Sequence, residues 1–138
     1  MTEQPPPATT RLRTLLRWAL AGLLLAAGVG HLLAPEPFLA QTPTWLPARL
    51  ALVYVSGVIE IALGLALLVS RRHRRYVGWS VAVFLVLVFP GNVHQAVAGV
   101  DAFGLDSAAA RWGRLLLQPV LIVVALVSTR DPGHPHER

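Results

Sequence analysis

Glu60 stands alone among apolar neighbours. The run from Leu50 to Ser70, bracketed by Arg49 and Arg71, contains no other charged residue. At about 1.5 Å of rise per helical residue the carboxyl falls roughly 16 Å from each flanking arginine, near the middle of a hydrocarbon layer about 30 Å thick. Burying an ionisable group at that depth costs about 2.5–3.5 kcal/mol, whereas each Leu, Ile, Val or Phe returns about 0.3–0.6. The dozen Leu, Ile and Val residues of the run outweigh that cost, so the helix still inserts. Ser56, Glu60 and Gly64 recur every four residues and share one helical face, which is expected to point into a bundle and not at lipid. No arginine falls inside the expected apolar runs, Trp18–Leu33, Leu50–Ser70, Tyr76 to about Ala98 and about Leu115–Thr129, so His31 and His94 are the cations within reach. Without one of them Glu60 is expected to be protonated and to donate a hydrogen bond between helices.

Other polar side chains fall at similar depth in the remaining runs. His31 lies roughly 21 Å beyond Arg17, Asn92, His94 and Gln95 follow Pro90, and Gln118 sits one turn inside the last run. Together they suggest a polar pocket in the outer half of a bundle, with Glu60 at its floor and His31, Asn92, Gln95 and Gln118 around it. Equally, the same groups can serve only to hydrogen-bond helices together. A haem or metal held by His31 and His94 has little support, because neither histidine has a second ligand three or four residues away. His134 and His136 read as part of a solvated tail.

Four runs must position these groups: about 17–34, 50–70, 76–98 and 113–129. The chain has 138 residues, 54% of them apolar and 14% charged, with a mean hydropathy of +0.57, too apolar for an ordinary soluble domain. Residues 1–14 read as a disordered tail and 130–138 as a second tail. The first run, Trp18 to Leu33, has the outline of a secretory signal, but no cleavage site closes it and three more spans follow. Pro90 and Gly91 are expected to break the third run late. The proline-rich segment between runs one and two, with Pro35, Pro37, Pro43 and Pro47, is expected to form a turn-rich cap on the membrane surface. Gly22, Ala26 and Gly30 form a small-residue stripe suited to close helix packing. Trp18, Trp45, Trp79 and Trp112 fall near the expected ends of spans, where indoles prefer to sit.

Loop charge sets the expected topology. Arg11, Arg13 and Arg17 precede the first run and Arg71, Arg72, Arg74 and Arg75 fill the gap between the second and third, so both termini are expected in the cytoplasm. All twelve basic residues are arginine and the net charge is +5. Because they flank spans and form no stripe on a folded face, nucleic-acid binding is not expected. There is no cysteine, which excludes thiolate metal sites, iron–sulfur ligation and thioether-linked haem within the chain. No nucleotide-binding glycine loop, zinc-protease helix or serine elbow is present.

The order of Gly30-His31, Pro35, Pro37 and Phe38, Leu46-Pro47, Tyr54-x-Ser56-Gly57-x-x-Glu60-Ile61-x-x-Gly64, the arginine-rich turn and Phe89-Pro90-Gly91-Asn92 resembles the DoxX-like family of small membrane proteins. The resemblance runs from about Arg17 to Ser128. It implies an all-α integral membrane four-helix bundle in a prokaryotic inner (cytoplasmic) membrane, partnered with redox enzymes, and no established catalytic set to carry over. With Tyr54 and Ser56 of that motif, the candidate ligand-binding set is Glu60, His31, Asn92, Gln95, Gln118, Tyr54 and Ser56. The leading expectation is a subunit of a redox-linked complex, not catalytic on its own, with a quinone as candidate cofactor and the lipid bilayer and redox-enzyme subunits as partners. A proton-coupled small transporter using Glu60 and a purely structural assembly partner are the alternatives.

Overall fold

The computed structural model describes residues 7–104 and 106–131, and these form helices, turns and loops without a strand. Four helices are long and apolar enough to cross a membrane: α1 (Ala8–Leu33), α3 (Arg49–Val69), α4 (Arg74–Ala98) and α5 (Ala108–Ser128). The short α2 (Glu36–Gln41) links α1 to α3. The chain therefore has the build of a multi-pass membrane protein, and its helix surfaces agree. Val55, Leu87, Leu116 and Val123 lie exposed on the outside, where lipid replaces water as solvent.

α1 packs chiefly on α3 and α4 chiefly on α5, and thinner seams between α1 and α5 and between α3 and α4 close the ring. Glycine sets the first of these contacts. A Cβ on Gly28 would lie 2.6 Å from the Gly57 carbonyl oxygen, and one on Gly57 would lie 2.5 Å from His31 Cβ, so only hydrogen fits at this crossing. Leu20, Ala21, Leu24, Leu67, Val81, Leu85 and Ala125 form the apolar core in the half of the bundle beside the α3–α4 turn.

Several boundaries and faces differ from expectation. α1 begins at Ala8, so residues 8–14 are helical where a disordered tail was expected. No proline or glycine interrupts Ala8 to Leu33 except within the apolar stretch, and a helix leaving the hydrocarbon simply continues through its polar first turns. Residues 1–6 of that expected tail and residues 132–138 of the second lie outside the described residues. α4 runs unbroken through Pro90, as α5 does through Pro119. Each proline removes one donor from the helix, which packed neighbouring helices tolerate. The Gly22, Ala26 and Gly30 stripe is not the packing seam: Gly22 and Ala26 are exposed, and the close approach runs instead along Ala21, Gly28 and their partners Gly57 and Gly64. All four tryptophans are exposed.

The segment joining α1 to α3 is a helix followed by turns. Thr42 Oγ1 donates to the Phe38 carbonyl at 2.8 Å, and Arg49 Nη2 donates to the carbonyls of Leu39 (2.6 Å) and Thr42 (2.8 Å). A cation from the start of α3 thus satisfies the open end of α2 and pins it in place. At the same end of the bundle, α4 closes on Gly99 in the left-handed region, with Val100 N–H reaching back to the Gln95 carbonyl at 3.1 Å. Ser107 Oγ caps α5 by accepting from Ala110 N–H at 3.1 Å.

Candidate functional site

Glu60 is buried on the face of α3 that meets α1, and His31 of α1 meets it there. His31 Nδ1 lies 3.0 Å from Glu60 Oε2 and 2.8 Å from the Ala27 carbonyl oxygen. A main-chain carbonyl can only accept, so the hydrogen on Nδ1 is directed to Ala27. Glu60 Oε2 is left in close electrostatic contact with the ring but without a hydrogen-bond donor, although it is fully enclosed.

A cavity of about 180 Å³ opens beside this pair, lined by His31, Glu60, Asn92, Gln118 and two residues that sequence reasoning did not select, Gln41 and Arg114. Gln41 Oε1 is also buried without a donor. Leu23 of α1 and Leu117 of α5 line the cavity as well and are half exposed, so the space opens laterally through the thin α1–α5 seam. A second cavity, about 250 Å³, lies under α2 and shares His31, Phe38 and Gln41 with the first.

The expected amides are present but engaged with one another. Asn92 Nδ2 donates to Gln118 Oε1 at 2.7 Å, and Gln118 Nε2 donates to the Leu85 carbonyl at 2.8 Å. These two bonds join α4 to α5. Gln95, 1% exposed, holds the loop after α4 through the Ala102 carbonyl at 3.5 Å and receives Arg114 Nη1 at 3.2 Å. Gln95 thus positions Arg114 and does not line the cavity itself.

An aromatic run roofs the site. The Phe38 ring stacks on His31 with centroids 3.6 Å apart, Phe103 meets Phe38 edge-on at 4.7 Å, and the Arg114 guanidinium lies 4.4 Å from the Phe103 ring centre. Phe103 has a φ of 59°, a left-handed conformation unfavourable for a bulky residue, and it brings the ring between Phe38 and Arg114. The roof therefore begins and ends on two residues of the cavity wall.

Of the seven expected ligand-binding residues, Glu60, His31, Asn92 and Gln118 share the cavity and Gln95 stands one contact behind it. Ser56 lines the second cavity and donates to its own helix at the Val53 carbonyl, 2.9 Å. Tyr54 lines neither cavity and is 39% exposed on the outer surface. At about 100° of turn per residue it lies some 200° from Ser56, on the opposite face of α3. His94 lines neither cavity either, and no group of three or more metal-binding side chains occurs among the described residues.

Arg114 corrects the expectation that no arginine enters a span, since it lies seven residues into α5 and lines the same cavity as Glu60. Its four-residue offset from Gln118 places the two on one face, a signal available in the sequence. Gln41 carried no comparable signal in its proline-rich segment, where Phe38 stood out only as part of the motif order.

Residues 20–129 match the family model described as "Domain of unknown function (DUF8561)", and the chain belongs to that family. No curated protein and no solved structure matches the chain.

Proposed function

We propose that this chain is a multi-pass subunit or partner of a redox-linked complex in a prokaryotic cytoplasmic membrane, with both termini on the cytoplasmic side, and that the cavity around Glu60 binds the polar head of a quinone-like lipophilic molecule. The motif order from Gly30-His31 to Asn92 supports placing the family beside the DoxX-like proteins. The observation that carries the ligand reading is the pair of buried acceptors without donors, Glu60 Oε2 and Gln41 Oε1, in one cavity with the cationic Arg114. Such a wall favours a ligand that brings hydroxyl donors together with an oxygen for the guanidinium. A hydroquinone meets both demands better than a quinone, whose carbonyls only accept. At about 180 Å³ the cavity suits a head group, being smaller than the roughly 300–1,000 Å³ typical of sites that enclose a whole ligand. The tail would leave between Leu23 and Leu117 into the acyl chains.

The test is thermal unfolding of the purified chain in neutral detergent, titrated with a short-tailed benzoquinone and with its hydroquinone. The expected result is a saturable stabilisation, larger for the hydroquinone, reaching about 2.7 kcal/mol at a hundredfold excess over Kd and much reduced in Glu60→Leu. No saturable response to either compound would end this reading. The exporter alternative is disfavoured by Arg114, because a lipophilic cation would meet a guanidinium in the cavity it shares with Glu60. Proton release on addition of such a cation, abolished in Glu60→Gln, would reverse that preference.

A further inference from the structure

The opposite end of the bundle concentrates a different chemistry. The turn between α3 and α4 and the first turn of α4 carry Arg71, Arg72, Arg74 and Arg75, and the end of α5 brings Arg130 and Asp131 alongside. Two adjoining open basins form there. One, about 520 Å³, is lined by Arg75, Trp79, Thr129, Arg130 and Asp131. The other, about 460 Å³, is lined by Arg72, Arg75, Tyr76, Trp79 and Asp131. Among the described residues none of Arg72, Arg75 and Arg130 has an acid within ion-pair distance, although Asp131 borders both basins. Behind them Arg17 is buried within the electrostatic reach of Arg74, and the Nε atoms of both are enclosed without a partner. Guanidinium groups therefore outnumber carboxylates where two aromatic rings, Trp79 at 54% and Tyr76 at 73% exposure, face outward.

Like charges held together with a single described carboxylate, Asp131, between them create a demand for an anion. The planar fork of arginine matches phosphate oxygens in pairs, and indole and phenol rings settle at the boundary between acyl chains and head groups. We propose that this basin is a binding site for the phosphate of an anionic phospholipid, with Arg72, Arg75 and Arg130 as ligands and Trp79 and Tyr76 against its glycerol and upper acyl segments. The proposal rests on the membrane-spanning reading of the four helices but not on the quinone reading, whose site lies at the other end. A free phosphate offers the same oxygens without acyl chains, and the aromatic flank favours the lipid.

The test is native mass spectrometry of the full chain in neutral detergent, with phosphatidylglycerol and phosphatidylcholine of identical acyl chains in competition and inorganic phosphate as a third arm. Phosphatidylglycerol is expected to win, with a saturable bound stoichiometry that inorganic phosphate at equal concentration does not reduce. Arg75→Gln and Arg130→Gln should each weaken it about fivefold, while Arg11→Gln, exposed near the start of α1 and outside the basin, should leave it unchanged. Equal occupancy by the two lipids overturns the site, as does an Arg11→Gln loss matching that of Arg75→Gln, which would mean diffuse charge. Displacement by inorganic phosphate overturns the lipid assignment. The head-group competition uses wild-type protein and so decides the matter even if a variant does not fold.

Discussion

Replacing Gly57 by alanine puts a methyl group where α1 and α3 touch. The new Cβ would lie 2.5 Å from His31 Cβ and 3.0 Å from the Gly28 carbonyl oxygen, and ordinary contact begins at 3.4 Å, so the helices must part by about 0.9 Å. Neither neighbour can swing aside, since one is fixed to the main chain and the other belongs to it. Overpacking of this kind costs about 1–3 kcal/mol, and the rigid surroundings place Gly57→Ala at the upper end, about 3. Alanine recovers about 1 kcal/mol through its better helix propensity, leaving a net loss of about 2 kcal/mol.

Gly22→Ala supplies the control. Nothing lies within 4 Å of a Cβ there, so only the propensity gain of up to about 1 kcal/mol applies. The two variants should therefore differ by about 3 kcal/mol, more than a hundredfold in the folding equilibrium, with opposite signs relative to the parent. Reversible unfolding in mixed micelles, followed by far-ultraviolet circular dichroism, reads this directly. Equal stability of Gly57→Ala and Gly22→Ala would refute the glycine seam, and with it the account of how His31 comes to face Glu60.

Three further outcomes are open to the same methods. Gln118→Leu strands Asn92 Nδ2 and removes the second bond to the Leu85 carbonyl, so it should destabilise by about 0.6–1.7 kcal/mol, and a double-mutant cycle with Asn92→Leu should show coupling of similar size. Additivity in that cycle would mean the amide pair is not formed. Arg49→Met removes both donors that hold the end of α2, so limited proteolysis between residues 34 and 48 should accelerate while the global melting point changes little; an unchanged cleavage rate counts against the clamp. Asp101→Asn weakens an ion pair of 2.8 Å whose aspartate side chain is 70% exposed, and its cost in the unfolding assay should stay below about 1 kcal/mol.

Hydropathy made the four spans legible, because a lipid solvent demands about twenty consecutive apolar residues and leaves few other readings. The central place of Glu60 in α3 was legible for the same reason, as the centre of one such run. Helical phase was harder to use. Ser56 and Glu60 share a face, but the motif that contains them also contains Tyr54, whose side chain the same periodicity turns outward. The small-residue stripe failed similarly, since Gly22, Ala26 and Gly30 and the true seam residue Gly28 are interleaved on one helix and composition alone does not say which side meets a neighbour. Arg114 was taken as the edge of a span when its long side chain lets a residue seven positions into α5 reach Gln95 and the cavity. Gln41, and the place of the motif residue Phe38 against His31, were beyond reach, because both depend on the clamp that Arg49 makes across ten and seven residues.

The same seam explains why an acid can be kept inside this bundle. On α1, His31 follows Gly28 by three residues, and on the antiparallel α3, Glu60 follows Gly57 by three. Each polar residue thus sits one turn from its own helix's glycine, and because the helices run antiparallel His31 stands directly against Gly57, one turn from Glu60. With side chains absent from the crossing, the two backbones come near enough for a short imidazole to reach the carboxyl at 3.0 Å. A larger residue at either glycine would separate the pair and take from the buried carboxyl its contact with the imidazole, a loss that an ionisable group inside a bundle tolerates poorly. The amides take no part in that task, because Asn92 and Gln118 bind α4 to α5, and Glu60 Oε2 and Gln41 Oε1 stay enclosed without a hydrogen-bond donor. If infrared difference spectra of wild type against Glu60→Gln showed a carboxyl whose band shifts on adding a hydroquinone but not in Gly57→Ala, the seam would be shown to hold the site as well as the fold. A shift of equal size in both backgrounds would separate the two roles and confine the glycines to packing.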